Sequence, residues 1–145
     1  MLSETEIVVR YQETDQMGVV HHSVYPIWFE CGRTDLIQKA GITYGQLEKD
    51  GIMLPLLGLK CRYMSPCYYG DTVIVKAGVK DMKPARIIFR YEIFRKGGIK
   101  PAASGETEHV WANRQLKPVN MKKYHSDLYQ LLNNIFMQGE NFEDE

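Results

Sequence analysis

Neither sign of charge prevails in this chain: Lys plus Arg and Asp plus Glu number 18 each, so the formal net charge is zero. Phosphate backbones select stacked positive charge, and no basic run here exceeds a pair such as Lys122-Lys123. A nucleic-acid partner is therefore not expected, although a few cations remain for one small phosphorylated ligand. No apolar run approaches the ~20 residues that cross a bilayer. The N-terminus, Met1-Leu-Ser-Glu-Thr-Glu-Ile7, lacks the basic start and apolar stretch of a signal peptide. Cysteine is scarce: the three, at 31, 61 and 67, have no metal-ligand spacing and leave one unpaired in any disulfide scheme. Cys61 and Cys67, if they share a strand, stand about 20 Å apart, too far for a bond. A cytoplasmic location is the expectation.

What is present suits one domain, since 145 residues are enough to bury a substantial core. The domain is expected over residues 1–137, with residues 138–145 (QGENFEDE) as an acidic, flexible tail. Residues 5–11 are β-branched and aromatic and predict a strand. A break with Gly18 follows, then Ser23 as N-cap of a helix with Pro26 in its first turn, running to Ala40 before Gly41. Val24, Tyr25, Pro26, Ile27, Trp28 and Phe29 carry no charge at all, which predicts a helix start buried on most sides. Cys31 on this helix reads as a small core residue. Thr43 with Gln46 makes a capping box for a short helix that stops at Gly51.

From there the period changes to two. Strands are predicted over 54–65, 72–80, 86–94 and 102–112, with turns at Pro66, Gly70-Asp71 and Gly97-Gly98. Val73, Val75, Ala77 and Val79 share one face, as do Ile87, Phe89, Tyr91 and Ile93. A final amphipathic helix takes residues 121–136, with Tyr124, Leu128, Leu131, Leu132 and Ile135 at helical spacing. Consecutive strands with short turns pair antiparallel. The fold class is α+β: a curved five-stranded antiparallel sheet wrapped around one long apolar helix.

The segment able to do chemistry is Tyr11-Gln-Glu-Thr-Asp15-Gln-Met-Gly18-Val-Val-His21-His22-Ser-Val-Tyr25. It sets an acid in a glycine turn just before a helix N-terminus, whose unpaired N–H groups and dipole can stabilise an oxyanion. A carboxylate beside such donors can attack a carbonyl or deprotonate a water. The plain alternative is that Asp15 only forms the turn. His21-His22 also raises a metal site, but adjacent side chains are expected to diverge and no second acid-histidine cluster follows. No metal and no cofactor are expected.

The string Tyr11-x3-Asp15-x2-Gly18-x-Val20-x-His22-x2-Tyr25, followed by Trp28-Phe29-Glu30 and Arg33-Thr34, resembles the signature of the 4-hydroxybenzoyl-CoA thioesterase family, in its YbgC-type branch. Tyr63-x2-Pro66-x3-Gly70-Asp71 and Gly105-x-Thr107-x-His109-Val110 extend the likeness over nearly the whole chain. The resemblance implies the hotdog fold and hydrolysis of a small or medium acyl-CoA, with Asp15 as nucleophile or general base. It implies that the backbone N–H of His22 polarises the thioester carbonyl, with Tyr11 beside the same chemistry. Gly18, Tyr25, Tyr63 and Pro66 are implied in substrate binding, and Lys83 and Arg86 in holding the nucleotide of CoA, with Arg114 and Lys117 as further cations. It also implies a homodimer or a tetramer of two dimers, the site combining Asp15 of one subunit with residues near 63–68 of the other. Gln16-Met17 replaces the small residues that many relatives carry after the acid, and Met53, Leu54, Leu56, Leu57 and Met64 read equally as acyl-pocket lining or as core.

Two rival functions use the same fold: a non-catalytic acyl-CoA or acyl-carrier-protein binding module, and a hydratase or dehydratase. A binder has no need of a carboxylate beside an electrophilic carbonyl. A dehydratase places its acid and histidine differently, and its product is an enoyl thioester rather than a free thiol.

Overall fold

The computed structural model describes residues 1–142, and residues 143–145, the end of the expected tail, lie outside the described residues. The strands are β1 (Leu2–Val8), β2 (Leu56–Tyr63), β3 (Thr72–Met82), β4 (Arg86–Arg95) and β5 (Ala103–Val110). The helices are α1 (Val24–Lys39), α2 (Tyr44–Lys49), α3 (Met121–Tyr124) and α4 (Ser126–Met137), with a 3-10 turn at Tyr11–Glu13. One five-stranded sheet runs in the order β1-β3-β4-β5-β2, and every neighbouring pair is antiparallel. This is the α+β arrangement that the alternating strands and the long apolar helix predict, and it agrees with the hotdog fold that the family resemblance implies.

The faces of the central strands follow the alternation. Val73, Val75, Ala77 and Val79 of β3 and Ile87, Phe89, Tyr91 and Ile93 of β4 are all buried, and α1 lies on them through Trp28, Phe29 and Leu36. Phe29 stacks on Tyr91 at 4.5 Å between centroids. The helix approaches the sheet closely at Gly32, where a Cβ would stand 2.7 Å from Val75 Cγ1. Only glycine fits there without moving the β-branched side chain beneath it.

Several boundaries differ from the sequence expectation, each for a tertiary reason. The first strand is Leu2–Val8 and not 5–11, because its partner β3 begins at Thr72, opposite Val8. Beyond that point Val9 bonds only to the Tyr68–Asp71 turn and the chain curls into the 3-10 turn. Strands β2 and β3 follow each other in sequence but do not pair: β2 crosses to the far edge and pairs with β5 alone. The final helix breaks at His125, whose φ of −138° is not helical. Met121 before the break and Leu132 and Phe136 after it are buried, whereas Tyr124 and Leu131 are exposed.

Helix α1 is covered on one side rather than all round. Ile27 is 55% exposed, and Cys31 is exposed rather than a core residue. Of the five ambiguous apolar residues, Met53 and Leu54 are half-buried, whereas Leu56, Leu57 and Met64 are exposed. Nor is the expected tail free along its described length. The N-terminal ammonium donates to Gln138 O at 2.9 Å, and the Arg90 guanidinium lies 4.8 Å from the centre of the Phe142 ring.

Candidate functional site

Residues 14–20 form a tight hairpin closed by the Thr14–Val20 bridge, with Asp15 N–H donating to Val19 O at 2.9 Å and Gly18 N–H to Asp15 O at 3.0 Å. Gly18 has a φ of +80° with open space around it, so the backbone conformation and not crowding selects glycine. The turn-forming role of Asp15 is taken by one oxygen, Oδ1, which accepts the Met17 N–H at 2.8 Å. Oδ2 has no partner among the described residues. The half-buried carboxylate is thus oriented by one oxygen and open at the other.

Neighbouring elements fasten the hairpin. Val20 N–H donates to Cys67 O at 2.8 Å, His21 N–H donates to Glu13 O at 2.9 Å, and Val19 bridges Tyr68. The chain then enters α1 without the Ser23 side-chain cap expected from the sequence. Ser23 Oγ lies 2.7 Å from His21 Nδ1, which also accepts the Ser23 N–H, so the hydroxyl donates to that nitrogen and the His21 proton resides on Nε2. The rings of His21 and His22 do not diverge but lie side by side, tilted by 32° with centroids 4.1 Å apart. Among the described residues no group of three or more His, Cys, Asp or Glu could hold a metal ion.

The helix entrance leaves donors free at His22. The backbone N–H of His22 and its imidazole have no protein partner among the described residues, while its carbonyl accepts the Tyr63 hydroxyl at 2.8 Å. Tyr25, buried at 3% exposure, sets its ring edge-on to both Tyr63 and Trp28, each at 5.1 Å. Burial pushes the phenols of both Tyr25 and Tyr63 up, the latter to about 12, with the neighbouring thiols adding to the effect. Both hydroxyls therefore keep their protons at neutral pH.

Not every residue singled out from the sequence joins this set. Tyr11 is 77% exposed and its ring packs edge-on to Tyr69 at 5.7 Å, while its carbonyl accepts the Thr14 hydroxyl at 2.7 Å. Pro66 is exposed in the turn before buried Cys67. Tyr63, Cys67 and Tyr68 contact the hairpin or His22 of their own chain. Lys83 pairs with Asp81 at 3.6 Å and Arg86 with Glu108 at 2.9 Å. They occupy the far end of β3 and β4, roughly 30 Å along the strands from the end beside the hairpin, at ~3.3 Å per residue. Arg114 is held by the Lys49 carbonyl at 2.7 Å.

Glu13 is the residue the sequence reading missed. It is 5% exposed and accepts the Trp28 indole N–H at 3.1 Å, though no local pattern marks an acid two places before Asp15 as buried. A second buried polar group joins the later motifs. Arg33 donates to Tyr91 Oη at 3.1 Å, Tyr91 to Thr107 Oγ1 at 2.6 Å, and Thr107 to His109 Nε2 at 3.0 Å. His109 Nδ1–H donates to the Leu54 carbonyl at 3.0 Å. Because a guanidinium only donates and a carbonyl only accepts, the direction of every link is fixed.

Residues 9–128 match the Thioesterase-like superfamily. The chain belongs to that family. It is 34% identical over 127 residues to the Bacillus subtilis (strain 168) protein named "Putative acyl-CoA thioesterase YneP", covering 87% of this chain and 91% of the relative. A solved structure of a DHNA-CoA thioesterase from Staphylococcus aureus superposes with a TM-score of 0.86 at 36% identity, over 92% of this chain and 90% of that one. An acyl-acyl carrier protein thioesterase of Arabidopsis thaliana, ATL3, is 31% identical over 81% of this chain and 62% of its own length. Among the described residues of this family member, no helix is long and apolar enough to cross a membrane.

Proposed function

We propose that this member of the thioesterase-like superfamily hydrolyses acyl-CoA thioesters to a free acid and CoA, with Asp15 as the reacting carboxylate. One observation carries the assignment to this site. Among the described residues, Asp15 holds one oxygen in the hairpin and leaves the other open, and the His22 N–H at the nearby helix entrance has no protein acceptor. A thioester carbonyl has little resonance stabilisation and a thiolate leaves readily, so one carboxylate and one set of preformed donors suffice.

Asp15 either adds to the carbonyl carbon or removes a proton from a water that adds there. Either way the carbonyl electron pair moves onto oxygen, where the His22 N–H and the positive end of α1 receive it. The oxyanion then collapses, the C–S bond breaks, and the CoA sulfur leaves with its electron pair to take up a proton from solvent. On the nucleophilic route, water hydrolyses the acyl-aspartyl anhydride and restores Asp15. Trapping that anhydride with hydroxylamine distinguishes the routes.

The working unit of this reading is a homodimer formed through β2. That strand pairs with β5 only, leaving a free edge, and Leu56, Leu57 and Leu59 on it are 53%, 51% and 40% exposed. Exposed edges of this kind are covered in stable proteins, and here a second copy supplies the matching edge. Two-fold pairing of β2 with itself is antiparallel, so the Tyr63 end of one copy meets the Leu56 end of the other. Leu56 lies opposite His109, and Arg86 opposite Val110, at that same end. Lys83 and Arg86 of one copy thereby serve the Asp15 of the other, holding the nucleotide phosphates of CoA. Three free cysteines agree with a reducing cytoplasm.

The test is release of free thiol from short aliphatic, long aliphatic and aromatic acyl-CoAs. Hydrolysis of any class supports the reading. Enoyl absorbance without thiol release points to dehydration instead, and binding without turnover to a carrier module.

A further inference from the structure

Glu13 ties together three pieces of chain: the exit from β1, the Asp15 hairpin and the start of α1. Its Oε2 accepts the indole N–H of Trp28, in the second turn of α1, at 3.1 Å inside the core. Its Oε1 accepts the Arg10 backbone N–H at 2.8 Å and faces Arg10 Nε at 3.4 Å, which fixes the exit from β1. Its own carbonyl accepts the His21 N–H at 2.9 Å, closing the base of the Asp15 hairpin. Burying a carboxylate costs several kcal/mol unless donors surround it. The protein accepts that cost two residues from Asp15 and supplies three donors. An indole N–H needs only one neutral acceptor, so satisfying Trp28 alone does not require a charge here.

We propose that Glu13 is a positioning residue, which through Trp28 and the His21 amide sets the open oxygen of Asp15 against the free N–H of His22. The inference rests on the thioesterase reading above. The geometry supports it because both ends of the reacting pair hang on this one side chain and its carbonyl. The hairpin leaves Glu13 by the main chain at Thr14 and returns to it at His21, while α1 is held to it through Trp28. Without the side-chain clamp the hairpin keeps its backbone bonds to Glu13, Cys67 and Tyr68, and α1 keeps its packing and the Tyr63–His22 bond, but the tie from Trp28 to Glu13 that sets their fine spacing is lost. Misplacement of reacting groups by about 1 Å costs on the order of 100-fold in rate.

Glu13→Gln offers one acceptor and one donor to a site built of three donors, and Trp28→Phe removes the indole N–H while keeping an aromatic ring. The experiment compares wild type, Glu13→Gln, Trp28→Phe, the double variant and Asp15→Asn for kcat and KM on an acyl-CoA that wild type hydrolyses. Amide hydrogen exchange over residues 14–24 is measured on the same proteins. The expected result is kcat lowered on the order of 10- to 100-fold in each single variant with KM within about threefold. The double variant falls no further than the worse single one, and exchange accelerates over 14–24 while β3 and β4 stay protected. A residue that only holds the fold together lowers melting temperature and leaves kcat of the folded protein unchanged. That result overturns the proposal while an inactive Asp15→Asn keeps the thioesterase reading intact. If wild type hydrolyses nothing, the thioesterase reading fails, and unchanged exchange over 14–24 in both single variants rejects the clamp separately.

Discussion

The hydroxyl of Tyr63 donates to the backbone carbonyl of His22 at 2.8 Å, joining the end of β2 to the entrance of α1 across 41 residues of sequence. The same residue sets its ring edge-on to Tyr25, so one side chain fastens both the first turn of the helix and the peptide before it. Because the carbonyl of His22 is occupied in this way, rotation of the peptides around His22 is restrained, and its free N–H keeps its direction.

Tyr63→Phe keeps the ring contact with Tyr25 and removes the hydrogen bond alone. A single partly exposed bond of this kind contributes about 0.5–1.5 kcal/mol, so melting shifts by a few degrees at most. The expected effect on turnover is a fall of roughly 3- to 10-fold with little change in KM, read by thiol release. Unchanged kcat with a lowered melting temperature assigns the bond to stability alone.

His109 gives the fold a pH dependence. Burial pushes its pKa down to about 4, with the Arg33 charge acting the same way and the Leu54 carbonyl bond opposing both. The ordinary value is about 6.5, so the unfolded chain binds the proton first as pH falls. The stabilisation is complete above about pH 6.5 and is lost progressively toward pH 4, to an extent on the order of 2–3 kcal/mol. Urea midpoints measured across that window are expected to fall in wild type. His109→Asn is expected to be weaker at pH 7 and flatter below it. Equal slopes in the two proteins reject His109 as the source.

How much of this was legible in the sequence depends on where the determining contact lies. The inner faces of β3 and β4 show as strict alternation because one side meets α1 and the other does not, and α2 shows because Thr43 and Gln46 cap each other locally at 3.0 and 3.1 Å. The register of β1 was not legible, since the end of β3 at Thr72 decides it. The position of β2 at the sheet edge was hidden for a related reason: its pairing with β5 spans residues far apart in sequence. Cys31 is a small residue on the apolar helix and reads as core, yet the sheet of one chain covers only the opposite side of α1. At the site, the Asp15-Gly18 turn and the helix entrance are written locally. Glu13 is not, because its burial depends on Trp28 fifteen residues away.

The proposed crossing of Asp15 with Lys83 and Arg86 of a second copy is open to a mixing experiment. Lys83→Ala with Arg86→Ala is expected to raise KM for CoA esters and to leave simple thiol esters unaffected. Unfolded and refolded together with Asp15→Asn, half of the resulting dimers are mixed, and each of these contains one intact site. Recovered activity at CoA-ester concentrations where neither parent works is expected to approach about a quarter of wild type. No recovery, with mixed dimers shown to form, places the cations and Asp15 of each working site on the same chain.

The most direct measurement is thiol release by wild type and Asp15→Asn in parallel over the acyl-CoA panel. Asparagine is isosteric and its side-chain oxygen still accepts the Met17 N–H, so the hairpin is kept and only the open carboxylate oxygen changes. The account predicts a folded variant with turnover reduced on the order of 100- to 10,000-fold. Turnover near that of wild type in the folded variant contradicts it.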